Sequence, residues 1–121
     1  MAYTEVTAER LRQWFMEHHV EFVEKRMMGG LCFMVNDKMC IGLDIDKDKQ
    51  KDRLMVRLDP QVEQEALKRK GAKPMDFTGR PMKGYVFVDE GGFQNEKDLN
   101  YWIQLAIDFN PKAKVSKKRN K

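Results

Sequence analysis

The sequence predicts an α+β domain in which an antiparallel meander sheet of about five strands is flanked by helices. Three observations carry that prediction. Apolar residues recur every three or four positions near both ends of the sequence, at Ala8, Leu11, Trp14 and Phe15 and again at Leu99, Trp102, Ile103, Ala106 and Ile107, which is the period of a helix with one buried face. Between these stretches lie short runs rich in Phe, Val, Ile and Met, punctuated by Gly29-Gly30, Asn36-Asp37 and Gly91-Gly92, as in strands joined by tight turns. At 121 residues and 14.3 kDa the chain fits one domain, able to bury roughly two thirds of its unfolded surface.

The elements follow in the order α-β-β-β-β-α-β-α. The first helix is expected over roughly residues 5 to 18, with His18 closing its apolar stripe as a boundary residue, since no neighbouring acid and nucleophile make it a general base. Phe22 to Met28, Leu31 to Val35 and Lys38 to Leu43 read as successive antiparallel strands. The polar run Asp44 to Asp52 places acids at 44, 46 and 48 and imitates the start of a calcium loop. Lys49 stands where that loop needs Gly and Met55 where it needs Glu, so the run reads as a solvated hairpin loop. Leu54, Val56 and Leu58 alternate with Met55 and Arg57 as a fourth strand with one apolar face. Asp59-Pro60 is a helix start and Gly71 a stop. Gly84 to Val88 is the fifth strand. Asn95, with Asp98 three residues on, caps the last helix, which Pro111 ends.

Composition excludes several classes. The 41% apolar content sits beside 35% charge, and no run approaches the roughly 18 apolar residues of a membrane helix. The first fifteen residues lack the apolar core and cleavage site of a signal peptide, so the cytoplasm is the expected location and no membrane partner is expected. The net charge of +4 is uneven. Lys112, Lys114, Lys117, Lys118, Arg119 and Lys121 carry six positive charges within residues 111 to 121, with no acid. The division is therefore a domain over residues 1 to 110 and a basic flexible tail over 111 to 121. Such a tail supplies weak, sequence-independent attraction to nucleic acid phosphates and no base reading, because no aromatics are interleaved.

Cys32 and Cys40 flank the turn at Asn36-Asp37-Lys38. A two-residue loop pairing Val35 with Lys38 puts them on opposite faces, whereas a three-residue loop pairing Val35 with Met39 puts them on the same face. In a reducing compartment they are thiols. His18 and His19, adjacent on a helix, point apart, so no metal site is expected and no cofactor motif is present. The nine methionines fall mostly in or beside strands, where filling core gaps is the expected role and an adaptable binding surface the alternative.

The most specific order lies between Pro74 and Gly84, Pro74-Met75-Asp76-Phe77-Thr78-Gly79-Arg80-Pro81-Met82-Lys83-Gly84. Its glycines permit unusual backbone angles and Pro81 fixes one, giving a rigid loop that enters a strand. Together with Met28-Gly29-Gly30-Leu31, Phe33-Met34-Val35-Asn36, Met39-Cys40 and Leu54-Met55-Val56-Arg57, in that order over roughly residues 3 to 109, the segment resembles the N-terminal domain of the TfoX/Sxy family. The resemblance implies an α+β domain and, in long members that add a C-terminal helical domain, a regulator of natural competence genes acting with the cyclic-AMP receptor protein. This sequence holds the first domain and a basic tail, as a single-domain member would. The family supplies no catalytic residues to carry over.

Two readings of the motif stay open. Arg57, Arg80 and Lys83 form a cationic edge that takes a carboxylate or phosphate, or Arg57 or Arg80 pairs with Asp76 and locks the loop to the sheet. The function expected is a non-enzymatic regulatory domain that contacts another protein, such as a transcription regulator or a second copy of itself. Weak nucleic-acid binding through the tail and a small-anion-binding or enzymatic role are the alternatives, the last disfavoured by the lack of any paired-carboxylate, nucleophile-base or phosphate-loop signature.

Overall fold

The computed structural model describes residues 5–27, 30–46, 50–75 and 83–113. Helix α1 (Glu5–Glu17) buries Ala8, Leu11, Trp14 and Phe15. It ends because His19 adopts a left-handed φ of 56°. The His19 N–H then donates to the Met16 carbonyl and the Val20 N–H to the Phe15 carbonyl, satisfying carbonyls that the helix end would leave bare.

Four strands follow as a meander, β1 (Val23–Met27), β2 (Gly30–Val35), β3 (Lys38–Asp46) and β4 (Lys51–Arg57). Val35 pairs with Lys38, and both residues of the two-residue turn are left-handed, Asn36 at φ 55° and Asp37 at 64°. That backbone twist matches the twist of the flanking strands, and Asn and Asp tolerate it best after Gly. The solvated loop expected over residues 44 to 52 is a correction. β3 continues to Asp46 and β4 begins at Lys51; Asp44 is gripped by Arg53 and Asp52 is buried.

The helix expected between Pro60 and Gly71 is also corrected. Asp59 caps as predicted, its carboxylate accepting from the Gln61 N–H, but only a 3-10 turn (Pro60–Val62) and a one-turn α2 (Glu63–Ala66) form. The Lys68 and Arg69 N–H groups bond back three residues instead of four. The segment has little apolar surface to hold it, and Lys68-Arg69-Lys70 repel one another. Gly71 then turns at φ +81°, and a strand that the sequence reading passed over as loop appears, β5 (Ala72–Pro74), before β6 (Tyr85–Asp89). The sheet among the described residues thus has six strands, all antiparallel, in the order β1-β2-β3-β4-β6-β5. Proline fits β5 because that strand lies at the edge of the sheet.

Helix α3 (Glu96–Phe109) starts at Asn95, whose side chain accepts from the Asp98 N–H at 2.8 Å. Its stripe, Leu99, Trp102, Ile103 and Ala106, joins that of α1 and the inner face of the sheet, including Leu31, Phe33, Ile41, Leu43, Leu54, Val56, Val86 and Val88, in one core. Each such side chain contributes about 1.5–3 kcal/mol when fully buried. A 3-10 turn (Asn110–Lys112) continues α3 and holds the buried Asn110, which donates to the Val35 carbonyl at 3.1 Å and accepts from Asn36 at 2.9 Å. Lys38 adds a bond to the Asn110 carbonyl. The end of α3 is thereby tied to the β2–β3 turn.

Candidate functional site

All three helices contribute to the one core, so the sheet has a second face on which, among the described residues, no helix packs. Alternation from the buried Leu31, Phe33, Leu54, Val56, Val86 and Val88 puts Cys32 and Met34 of β2, Met39 and Gly42 of β3, Met55 of β4 and Tyr85 and Phe87 of β6 on that second face. A Cβ on Gly42 would lie 2.9 Å from the Met55 methyl and 3.8 Å from that of Met39, so a side chain there would push the flexible end of Met55 aside. The Cys32 thiol lies 3.6 Å from the Met34 sulfur. Cys32, Met34 and Phe87 are buried, while Met39, Met55 and Tyr85 are half-buried. The expected filling of core gaps holds for Met34 and Met75, which are 7% and 3% exposed. The helix-covered cluster itself contains no methionine among the described residues, and Met34, Met39 and Met55 lie on the opposite face.

Two arginines frame this apolar strip. Arg53 donates to Asp44 through Nε at 3.0 Å and Nη2 at 2.9 Å, and its guanidinium carbon lies 3.8 Å above the Phe87 ring. That arrangement combines a two-pronged ion pair with a cation–π contact. Arg57 is 5.7 Å from the Tyr85 ring and reaches the Met39 carbonyl at 3.4 Å. Lys73 of β5 stands 3.5 Å from Asp89.

The predicted site residues are brought together in part. Arg57 pairs with Tyr85, two residues beyond Lys83, so Arg57 and Lys83 lie at the same end of the β4–β6 pair. Lys83 is exposed, and the following Gly84, at φ +82°, is fixed by donating its N–H to the buried Glu63 carboxylate at 2.8 Å. Arg80, and the Asp76 that competes for it, lie outside the described residues, as do Lys114, Lys117, Lys118, Arg119 and Lys121. Lys112 is exposed, 3.9 Å from Asp59. Sequence reasoning missed Arg53, although the alternation Arg53, Met55, Arg57 carried the signal.

The two-residue turn answers the question left open for the cysteines. Between Phe33/Ile41 and Met34/Met39 the register slips by one, so Cys40 is an extra residue and bulges toward the core while Cys32 faces the other way. Burial pushes the Cys32 thiol up to about 11 and the Cys40 thiol up to about 12, so both are protonated near neutral pH. His18 is stacked on Trp14 with ring centroids 3.8 Å apart and its Nδ1 is 2.8 Å from the Trp14 carbonyl oxygen. Among the described residues no three His, Cys, Asp or Glu side chains converge as metal ligands, and no helix is long and apolar enough to cross a membrane.

A crystal structure of a protein from Pseudomonas syringae, a structural-genomics target, matches this fold with a TM-score of 0.61 at 16% identity, over 82% of this chain and 97% of that one. A solution NMR structure of a protein from the same organism gives a TM-score of 0.61 at 12% identity, over 94% and 97%. At these identities the likeness is one of fold. No curated protein matches the sequence. The family model described as the TfoX N-terminal domain matches residues 15–110, most of the chain and every strand of its sheet, and the chain belongs to the TfoX N-terminal domain family.

Proposed function

We propose that this chain is a non-enzymatic regulatory domain that binds a protein partner through the helix-free face of its sheet, in the cytoplasm. The observation that carries the reading is the strip of half-buried Met39, Met55 and Tyr85, backed by the buried Met34 and Phe87 and framed by Arg53 and Arg57. Flexible thioethers adapt to a partner's shape, and aromatic and arginine side chains are the commonest anchors of protein interfaces. Membership of a family whose long members regulate competence genes supports a regulatory role, with a transcription regulator as the kind of partner expected.

A photo-crosslinking amino acid placed at Met39 or at Met55 tests the proposal, with Gln104 on the exposed side of α3 as control. One protein should be recovered in cells from both face positions and not from the control. Its purified form should bind the wild-type chain and bind Met55→Glu at least about tenfold more weakly, a loss of about 1.4 kcal/mol, with unchanged circular dichroism. Recovery of the same proteins from all three positions, or undiminished binding by Met55→Glu, overturns the proposal.

A further inference from the structure

Away from that face, α1 and α3 lie side by side with their N-terminal ends together, since Arg10 is 3.9 Å from Glu96 and the Trp14 indole donates to Asn100 at 2.7 Å. Between them runs a groove of about 720 Å³. Its apolar part is Val6, 72% exposed, with the edges of Trp14 and Leu99. The charged lining is one-sided: Glu5, Glu9, Glu17 and Glu96 against Arg10 alone. Arg12 nearby bonds Glu5, Glu9 and Glu24 together, and counting that second arginine and third partner still leaves three more acids than cations.

The body of the chain is acidic once its last residues are set aside, and those last residues carry the opposite charge. We propose that the groove between α1 and α3 is the docking site of this chain's own basic C-terminal segment, residues 114–121. Charge complementarity selects the occupant and reach defines the contact. Matching Arg10 to Glu96 and Trp14 to Asn100 sets Glu17 level with Ile103, about 15 Å along α3 from Ala113 at 1.5 Å per residue. Eight extended residues span about 26–29 Å. Lys117, Lys118 and Arg119 therefore come level with Glu17, and Lys121 just attains Glu96 and Glu9. Being tethered, the segment acts at an effective concentration that makes even weak ion pairs count.

A nitroxide on the full-length chain tests this. Cys32 and Cys40 are 3% and 1% exposed, so a cysteine introduced by Met16→Cys, at a site 57% exposed beside the groove, is labelled selectively. A second label at Lys73→Cys, on the far edge of the sheet, is the control. At low ionic strength the Met16 label should broaden the amide signals of residues 117–121 at least about twofold more than the Lys73 label does. The difference should vanish in about 1 M salt, where the screening length falls to about 3 Å, and should shrink in the Glu17→Gln, Glu96→Gln double variant. Equal broadening from both labels at low salt overturns the proposal, as does broadening insensitive to salt. Broadening that appears between labelled and unlabelled chains mixed together, and not within one chain, overturns it in favour of docking between copies. The salt series on the wild-type background decides the matter even where the double variant is unstable.

Discussion

The Asn110 side chain donates to the Val35 carbonyl across 75 residues of sequence, joining the end of the last helix to the β2–β3 hairpin. Its oxygen simultaneously accepts from Asn36, and the residue is only 3% exposed. Replacing it with alanine leaves a buried carbonyl without its donor, which costs about 1–3 kcal/mol. Asn110→Ala should therefore lower the midpoint of thermal unfolding by several degrees in calorimetry, with Asn110→Asp no better, because a carboxylate cannot donate to Val35.

Gly84 and Glu63 form a second unit that can be taken apart. At φ +82° a side chain is strained, and a Cβ would sit 3.2 Å from the Leu58 carbonyl oxygen. Gly84→Ala should cost about 1–2 kcal/mol in denaturant titrations. Glu63→Ala should cost a similar amount by leaving the Gly84 N–H unpaired, and Glu63→Gln, which keeps the acceptor, should recover most of it.

The raised thiols give the stability a slope in alkali. A cysteine in the unfolded chain ionises near about 8.5, whereas Cys32 and Cys40 hold their protons to about 11 and about 12. Between those limits the folded state binds more protons than the unfolded one, so stability falls as pH rises, by at most about 1.4 kcal/mol per pH unit for each thiol. Below pH 8 these groups contribute no slope. Urea midpoints from pH 7 to 10 should show the decline, shallower in the Cys32→Ala, Cys40→Ala double variant, and a thiol reagent should react with the native wild type far more slowly than with the unfolded chain.

For the tail, duplex DNA provides the direct measurement. Full engagement of its six cations gives a slope of log K against log salt approaching about −5, and glutamine at 114, 117, 118, 119 and 121 should abolish most of the binding. Truncation before residue 111 is the wrong control, since Ala113 is buried and bonded to Phe109 and Asn110.

Local rules carried much of this architecture. Helices α1 and α3 were legible because their apolar residues recur at one spacing, the Asn95 cap because a short amide accepts well from the third N–H, and the β2–β3 hairpin because Asn36-Asp37 suits a left-handed pair. What escaped depends on partners distant in sequence. β5 is three residues ending in proline and exists through its pairing with β6. Asp44 and Asp52 look solvated until Arg53 and the strand register place them. Along β2 both alternate sets, Leu31, Phe33 and Val35 on one side and Cys32 and Met34 on the other, are apolar, so periodicity alone could not say which side the helices would cover. For the candidate site, Arg57 and Lys83 were visible as cations beside strands, but the strip they border emerges only when four strands are laid side by side.

The slip at Cys40 has a consequence for how this protein tolerates change in length. Removing one residue from the middle of a paired strand ordinarily turns everything beyond it inside out. Here the neighbours on either side, Met39 opposite Met34 and Ile41 opposite Phe33, are already in step with an uninterrupted ladder that lacks Cys40. The strand thus contains one position where a codon can be lost with every other side chain keeping its orientation, the loss being confined to the space one thiol fills.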